Sequence, residues 1–178
     1  MEYNLLATTE KFTMSGASSQ LWMNLRAVGD PEPTVNKTRI KGIIQGATSL
    51  DPVEAIYLMR EHMQRETERY DKLFRVMPIL SWVETSIEAI VGEVEVQKRR
   101  MADGETFRVT LEKRKTAYRS LEVIDAVAAV IDNVVDLENP DWVVLLEIMG
   151  ERTGVSIVRA DALLNVQKER AALSFKTD

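Results

Sequence analysis

Between Glu105 and Val158 the spacing of apolar residues changes several times. Phe107, Val109 and Leu111 alternate with Arg108, Thr110 and Glu112, the period of a half-exposed strand. After Ser120, read as an N-cap, the spacing lengthens to Ile124, Val127 and Ile131, that of a helix laid on a core. Asn139-Pro140 makes a turn into WVVLLEIM, apolar on both faces except for Glu147 and therefore predicted as a central strand covered twice. GERTG reads as a hairpin turn, VSIV as the returning strand, and ADALLNVQKERAAL as one final amphipathic helix.

The earlier part is read in the same way. NLLATT (Asn4–Thr9) is a short strand, and Ser18 or Ser19 caps a short helix carrying Leu21, Trp22, Leu25 and Val28. Val35–Thr48 predicts one or two strands. Asp51 as N-cap, Pro52 at N1 and Glu54 at N3 open a helix with Val53, Ile56, Met59 and Met63 on its buried stripe. Leu73–Val83 is extended and apolar but interrupted by Pro78, which predicts an edge or bulged strand. Thr85 and Glu88 form a second capping box, and the helix they open carries Ile87, Ile90, Val91 and Val94 before Lys98–Arg100 and Gly104 end it. The order β-α-β-β-α-β, then α-β-α-β-β-α, predicts a mixed α/β (α+β) fold with helices packed on sheets.

Composition narrows the chemistry. The 178 residues include no Cys, which excludes disulfides, thiolate nucleophiles and Cys-based zinc sites, and a single histidine, His62, which excludes imidazole pairs. Gly42 and Gly46 are not followed by the Lys-Ser/Thr of a phosphate loop. Asp136, Glu138 and Asp141 lie close together, but Leu137, Asn139 and Pro140 between them read as turn chemistry. Trp22, Trp82 and Trp142 fall on apolar stripes or strands, favouring core packing over base stacking. No apolar run suits a membrane span or an export signal, so a cytoplasmic protein with no membrane partner is expected.

The net charge of −5 is unevenly spread. Residues 98–119 hold eight Lys and Arg against three Asp and Glu, whereas the residues on either side are acidic overall. Lys98, Arg99 and Arg100 suit the last turn of a helix, where its dipole favours cations. Lys113, Arg114, Lys115 and Arg119 have no such reason, since they lead into a helix N-terminus, which disfavours cations and favours phosphate. Arg108 and Arg114, six residues apart, share a strand face. On these grounds the segment is either a solvated strand end or the landing place of a polyanion.

The stretch ETFRVTLEKRKTAYRSLEVIDAVAAVI, followed by VDLENPDWVVLLEIMGERTGVSIV, resembles the THUMP domain. The likeness lies in the F-x-V-x-x-x-x-R strand, the Ser before the helix, the D-L-x-N-P-D turn and the E-I-x-G-x-x-T-G-V-S hairpin. NLLATT and SLDPVEAI further resemble the small ferredoxin-like domain that precedes THUMP in its relatives. The resemblance implies a ferredoxin-like domain over 1–70, a THUMP domain over 71–175, and RNA binding. With about 20 residues after Val158, the chain resembles the stand-alone adaptors that present tRNA to an acetyltransferase making N4-acetylcytidine. Such an adaptor has no chemistry and no cofactor of its own. Lys98, Arg99, Arg100, Lys113, Arg114, Lys115 and Arg119 would then meet phosphate, with Arg108 extending the set and the Ser120 helix adding backbone donors. Two departures stand out: TMSGASSQ lacks the basic residues often seen there, and −5 is a low charge for a tRNA binder. The alternatives are a small enzyme with a carboxylate site around Asp136–Asp141, and a structural subunit whose basic segment meets an acidic protein.

Overall fold

Asp51 opens its helix as the sequence predicts: its carboxylate accepts from the N–H groups of Val53 and Glu54, with Pro52 at the first position. The computed structural model describes residues 2–176. In chain order the elements begin with β1 (Leu5–Thr9), α1 (Met14–Ala27), β2 (Thr34–Lys37), β3 (Ile43–Ala47), α2 (Pro52–Arg65) and β4 (Leu73–Pro78). Then come β5 (Ser81–Glu84), α3 (Ile87–Gln97), β6 (Thr106–Arg114), α4 (Ser120–Ala128) and β7 (Val134–Val135). β8 (Trp142–Met149), β9 (Arg152–Arg159), β10 (Leu164–Asn165) and α5 (Val166–Ser174) complete the chain. Among the described residues no helix is long and apolar enough to cross a membrane.

The chain divides into two compact units. The first takes the residues up to Pro78 and those from Asp161 onward; the second is Ile79–Ala160. These limits differ from a division at residue 70 for a clear reason. β4 pairs with β1, and β10 returns from the far end of the sequence to pair with β4.

The first unit is an antiparallel sheet in the order β10-β4-β1-β3-β2. Leu21 and Leu25 of α1 and Ile56, Met59 and Met63 of α2 join Leu5, Ala7 and Ile44 of the sheet in one core. β4 is an interior strand rather than an edge; Pro78 ends it, and a register shift opposite Thr8 and Thr9 supplies the expected bulge. Ser18 and Ser19 are not caps. Their hydroxyls bond back to the carbonyls of Met14 and Ser15 inside α1, whose N-cap position is Thr13, five or six residues earlier than expected. The single final helix is also broken. Asn165 caps α5 by accepting from the Lys168 N–H, while its own N–H reaches Glu169, so the residues before it form a 3-10 turn and β10. Arg60 holds this return in place through Glu169 at 2.5 Å and the Leu163 carbonyl at 3.1 Å.

The second unit is a mixed sheet in the order β5-β9-β8-β6-β7, with β6 parallel to both neighbours and β9 antiparallel to both of its own. β8 lies at its centre, buried along nearly its whole length, as its two-sided apolar pattern predicts. Ile90 and Val94 of α3 and Val123 and Val127 of α4 pack with Val144, Leu146, Val155 and Ile157. α3 is capped by Ser86, one residue later than Thr85, whose hydroxyl is taken by Thr153. β5 is too short to cover the outer edge of β9. There the Gln97 amide substitutes for a strand, donating to the Val155 carbonyl and accepting from the Ile157 N–H.

Asp30 ties α1 to the end of β3. Its buried carboxylate accepts from the hydroxyls of Thr48 and Ser49 and from the N–H groups of Ser49 and Glu32. Burial alone would push this carboxyl up; the four donors outweigh burial and hold it below the ordinary 3.8. Because the folded value lies below the unfolded one, the contribution is complete above the unfolded value and is lost as pH falls through the folded one. Asp30→Ala is expected to cost about 3 kcal/mol at neutral pH. Urea unfolding should show the gap to wild type narrowing as pH drops below about 3.8.

Candidate functional site

β5, β6 and β8 all end at the same edge of the second unit's sheet, because β5 and β8 both run antiparallel to β9 and β6 runs parallel to β8. α3 follows β5 and α4 follows β6 after short connections, so two helix N-termini face this edge as well. The end of β6 is sharply defined. The Arg114 carbonyl accepts from the Gly150 N–H at 2.9 Å, and Lys115 then turns at φ 56, the only positive φ at a non-glycine among the described residues.

An open pocket of about 870 Å³ lies here, walled by Trp82–Thr85, Lys115–Tyr118 and Gly150–Arg152. The Arg152 guanidinium stands 5.5 Å from the Trp82 ring centroid, and Tyr118, half-buried against the core of the unit, lines the other wall. Glu84 and Glu151 also line the pocket and balance Lys115 and Arg152, so only Arg119, beyond the wall, adds positive charge. The first turn of α4 is left without a full side-chain cap. Arg119, not Ser120, occupies the N-cap position and has no acceptor to offer; only Glu122 reaches back, 3.4 Å from the Arg119 N–H. Ser120 is the first helical residue.

The nine residues singled out in the sequence do not form one patch. Lys113, Lys115, Arg119 and Ser120 gather at this edge, with the Lys113 ammonium on the Tyr118 carbonyl at 2.8 Å. Arg114 is taken up internally, 2.6 Å from Glu147, which is 1% exposed against 19% for the arginine. Lys98, Arg99 and Arg100 follow the other end of α3, whose 11 residues put about 16 Å between the two groups. There Lys98 donates to the Val130 carbonyl and Arg100 to that of Ile157. Arg108 donates to the Leu137 carbonyl near the start of β6. At that far edge Glu105 is held down to about 2 by the Ala102 N–H, the Trp142 indole and Arg159.

Trp82 and Arg152 belong to the site although their sequence context points elsewhere. The tryptophan looks like core on an apolar strand, and the arginine sits in a hairpin turn; sheet topology alone brings them beside Lys115. Two of the clustered acids bind the local backbone. Asp136 accepts from the N–H groups of Glu138 and Asn139, and Asp141 accepts from the Thr106 N–H. His62 bonds through Nδ1 to the Tyr70 hydroxyl at 2.9 Å, and burial, with Arg69 nearby, holds its pKa below the ordinary value.

Residues 84–158 match the family model of the THUMP domain, a span that contains nearly all of this site. The chain is 33% identical over 101 residues to an uncharacterized protein of Methanocaldococcus jannaschii, covering 54% of this chain and 28% of that one. Three solved structures share the fold. PH1313 from Pyrococcus horikoshii has a TM-score of 0.63 at 21% identity, over 89% of this chain and 55% of its own. TrmN from Thermus thermophilus has a TM-score of 0.58 at 19% identity, over 88% and 45%. A 4-thiouridine synthetase, solved as an RNA complex with bound ATP, has a TM-score of 0.54 at 15% identity, over 89% and 42%. The chain therefore spans about half or less of the length of each of these relatives.

The internal use of Arg114 gives a direct test. Arg114→Ala leaves the Glu147 carboxylate buried without this partner and is expected to cost about 3 kcal/mol in urea unfolding. A double-mutant cycle with Glu147→Gln should return a coupling of about 1.5 kcal/mol or more, which a surface ion pair would not show.

Proposed function

We propose that this protein is a non-catalytic tRNA-binding adaptor that presents its RNA to a modifying enzyme, such as an acetyltransferase forming N4-acetylcytidine. The observation that carries this reading is the coincidence of the THUMP match with the pocket at the sheet edge. An aromatic wall, flanking cations and an incompletely capped helix N-terminus are the chemistry that takes up a stacked base and its phosphate. The 4-thiouridine synthetase adds support, being a protein of this fold that was solved in complex with RNA. In the first unit, the element order β-α-β-β-α-β and the strand order β4-β1-β3-β2 support the ferredoxin-like reading. The pocket wall offers stacking, hydroxyls and charge but no imidazole or thiol, which suits binding rather than chemistry.

In this reading the contacts are Lys115, Arg119 and Arg152, with Trp82 stacking and Lys113 and Ser120 at the rim. Lys98, Arg99, Arg100 and Arg108 meet a different part of the RNA or none. Recognition is by backbone and shape, as for structured RNA, and the modest local charge leaves affinity to be shared with the partner enzyme.

Titration of tRNA against wild type and Lys115→Glu/Arg119→Glu at two salt concentrations tests the site. The double variant is expected to bind at least about tenfold more weakly. Its slope of log affinity against log salt should be shallower by about 0.7–0.9 for each phosphate that the variant no longer neutralises. Equal binding by the two proteins would remove the assignment. Acetylcytidine formation by the purified protein alone, given acetyl-coenzyme A and ATP, would overturn the non-catalytic role.

A further inference from the structure

The first unit carries a second concentration of positive charge. Residues 11–28 and 34–42 contain no Asp or Glu, yet hold Lys11, Arg26, Lys37, Arg39 and Lys41, all of them exposed. Of the two acids between these stretches, Asp30 is buried among its donors and Glu32 is exposed. In a chain of net charge −5, these acid-free stretches concentrate positive charge, with Asp71 the acid that meets α1, through Gln20.

The same surface has a free strand edge. β2 ends the first sheet and pairs only with β3. Thr38 donates to the Ile43 carbonyl, and Thr9 on the far side of β3 donates to that of Gly42. Antiparallel alternation therefore turns Thr34 and Asn36 toward β3 and leaves the N–H and C=O of Val35 and Lys37 pointing out of the sheet. The side chains of these two residues lie on the α1 face. Val35 is opposite Gly46, whose open side meets Leu21 of α1, and Lys37 reaches the Ser15 hydroxyl at 3.2 Å.

Between that edge and α1 lies a groove of about 400 Å³, lined by Ser18, Ser19, Trp22, Met23 and Val35. Trp22 and Met23 are each 44% exposed, so the tryptophan expected in the core is on the surface instead. Large apolar side chains left on one helix face beside an unpaired edge mark an interaction surface.

We propose that the groove between α1 and the free edge of β2 is the docking site for an extended segment of a partner protein that carries an apolar and an acidic residue two positions apart, on one strand face. The segment adds as a sixth strand, exchanging main-chain hydrogen bonds with Val35 and Lys37. Every second side chain then faces α1: the apolar one falls into the groove on Trp22, Met23 and Val35, and the acidic one, two positions along the same face, meets Lys37. RNA fits this surface less well, because a strand edge presents carbonyls as well as N–H groups and the groove floor is aliphatic, thioether and indole. The proposal rests on the first unit alone and is independent of the RNA site.

The full chain is tested on an array of octapeptides with Leu, Ile, Val or Phe two positions from Glu or Asp and Ser or Thr between them. A matched array carries Lys or Arg in place of the acids. Selective binding to the acidic array is expected, weakened about tenfold or more by Met23→Glu and by Lys37→Pro. The proline removes an outward N–H at an edge position that tolerates it, and the glutamate variant keeps the test open if the proline variant does not fold. Amide NMR shifts from a bound peptide should centre on Val35 and Lys37. Equal binding to the two arrays, no binding to either, or binding indifferent to the substitutions would overturn the proposal. So would shifts at this edge produced only by a uridine octanucleotide, or self-association of the chain abolished by the same substitutions.

Discussion

A carboxylate in the middle of a buried strand must be answered, and Glu147 is answered by Arg114 on the adjacent strand. That ion pair constrains much of the second unit. It holds the last residue of β6 beside the central strand, so the chain must leave the sheet at Lys115 in a left-handed turn. The turn delivers Thr116–Arg119 to the edge of the sheet and starts α4 with an arginine where a capping side chain would ordinarily sit. Removing either charge would leave the other poorly matched to its surroundings, with only the Gly150 N–H and the strand ladder to fix the exit of β6.

Converging strand ends account for the rest of the site. Strands that share a direction and helices that follow them leave their polar termini on one side of a sheet, where unpaired N–H groups and loop side chains collect. Here that side receives an aromatic from β5, a guanidinium from β9 and cations from the loop before α4. No two of these segments are adjacent in sequence, and only the strand order makes them neighbours.

Features settled by short-range chemistry were legible in the sequence. The Asp51-Pro52 start of α2 is complete within four residues, and the two-sided apolar run of β8 can only be a covered strand. Features settled at long range were not. Ser18 and Ser19 look like caps but spend their hydroxyls on carbonyls four residues back. Trp22 has the spacing of the buried stripe yet lies on the outer side of α1, with Arg26 over its ring. The basic segment was visible as a charge excess, but Arg114 is withdrawn from it by a residue 33 positions away. Lys98–Arg100 are separated from it by the length of α3, which a count of cations along the sequence cannot register.

Along the sequence the continuous second unit falls between two parts of the first, and this shapes the order in which the molecule is made. A ribosome releases β5 through β9 as one uninterrupted piece, free to fold while synthesis continues. The first unit cannot finish so early: Leu164 and Val166 belong to its core and Arg60 waits for Glu169. Its sheet stays one strand short until Leu164 and Asn165 have emerged. A nascent chain cut off between Ala160 and β10 would carry a complete second unit and an incomplete first one.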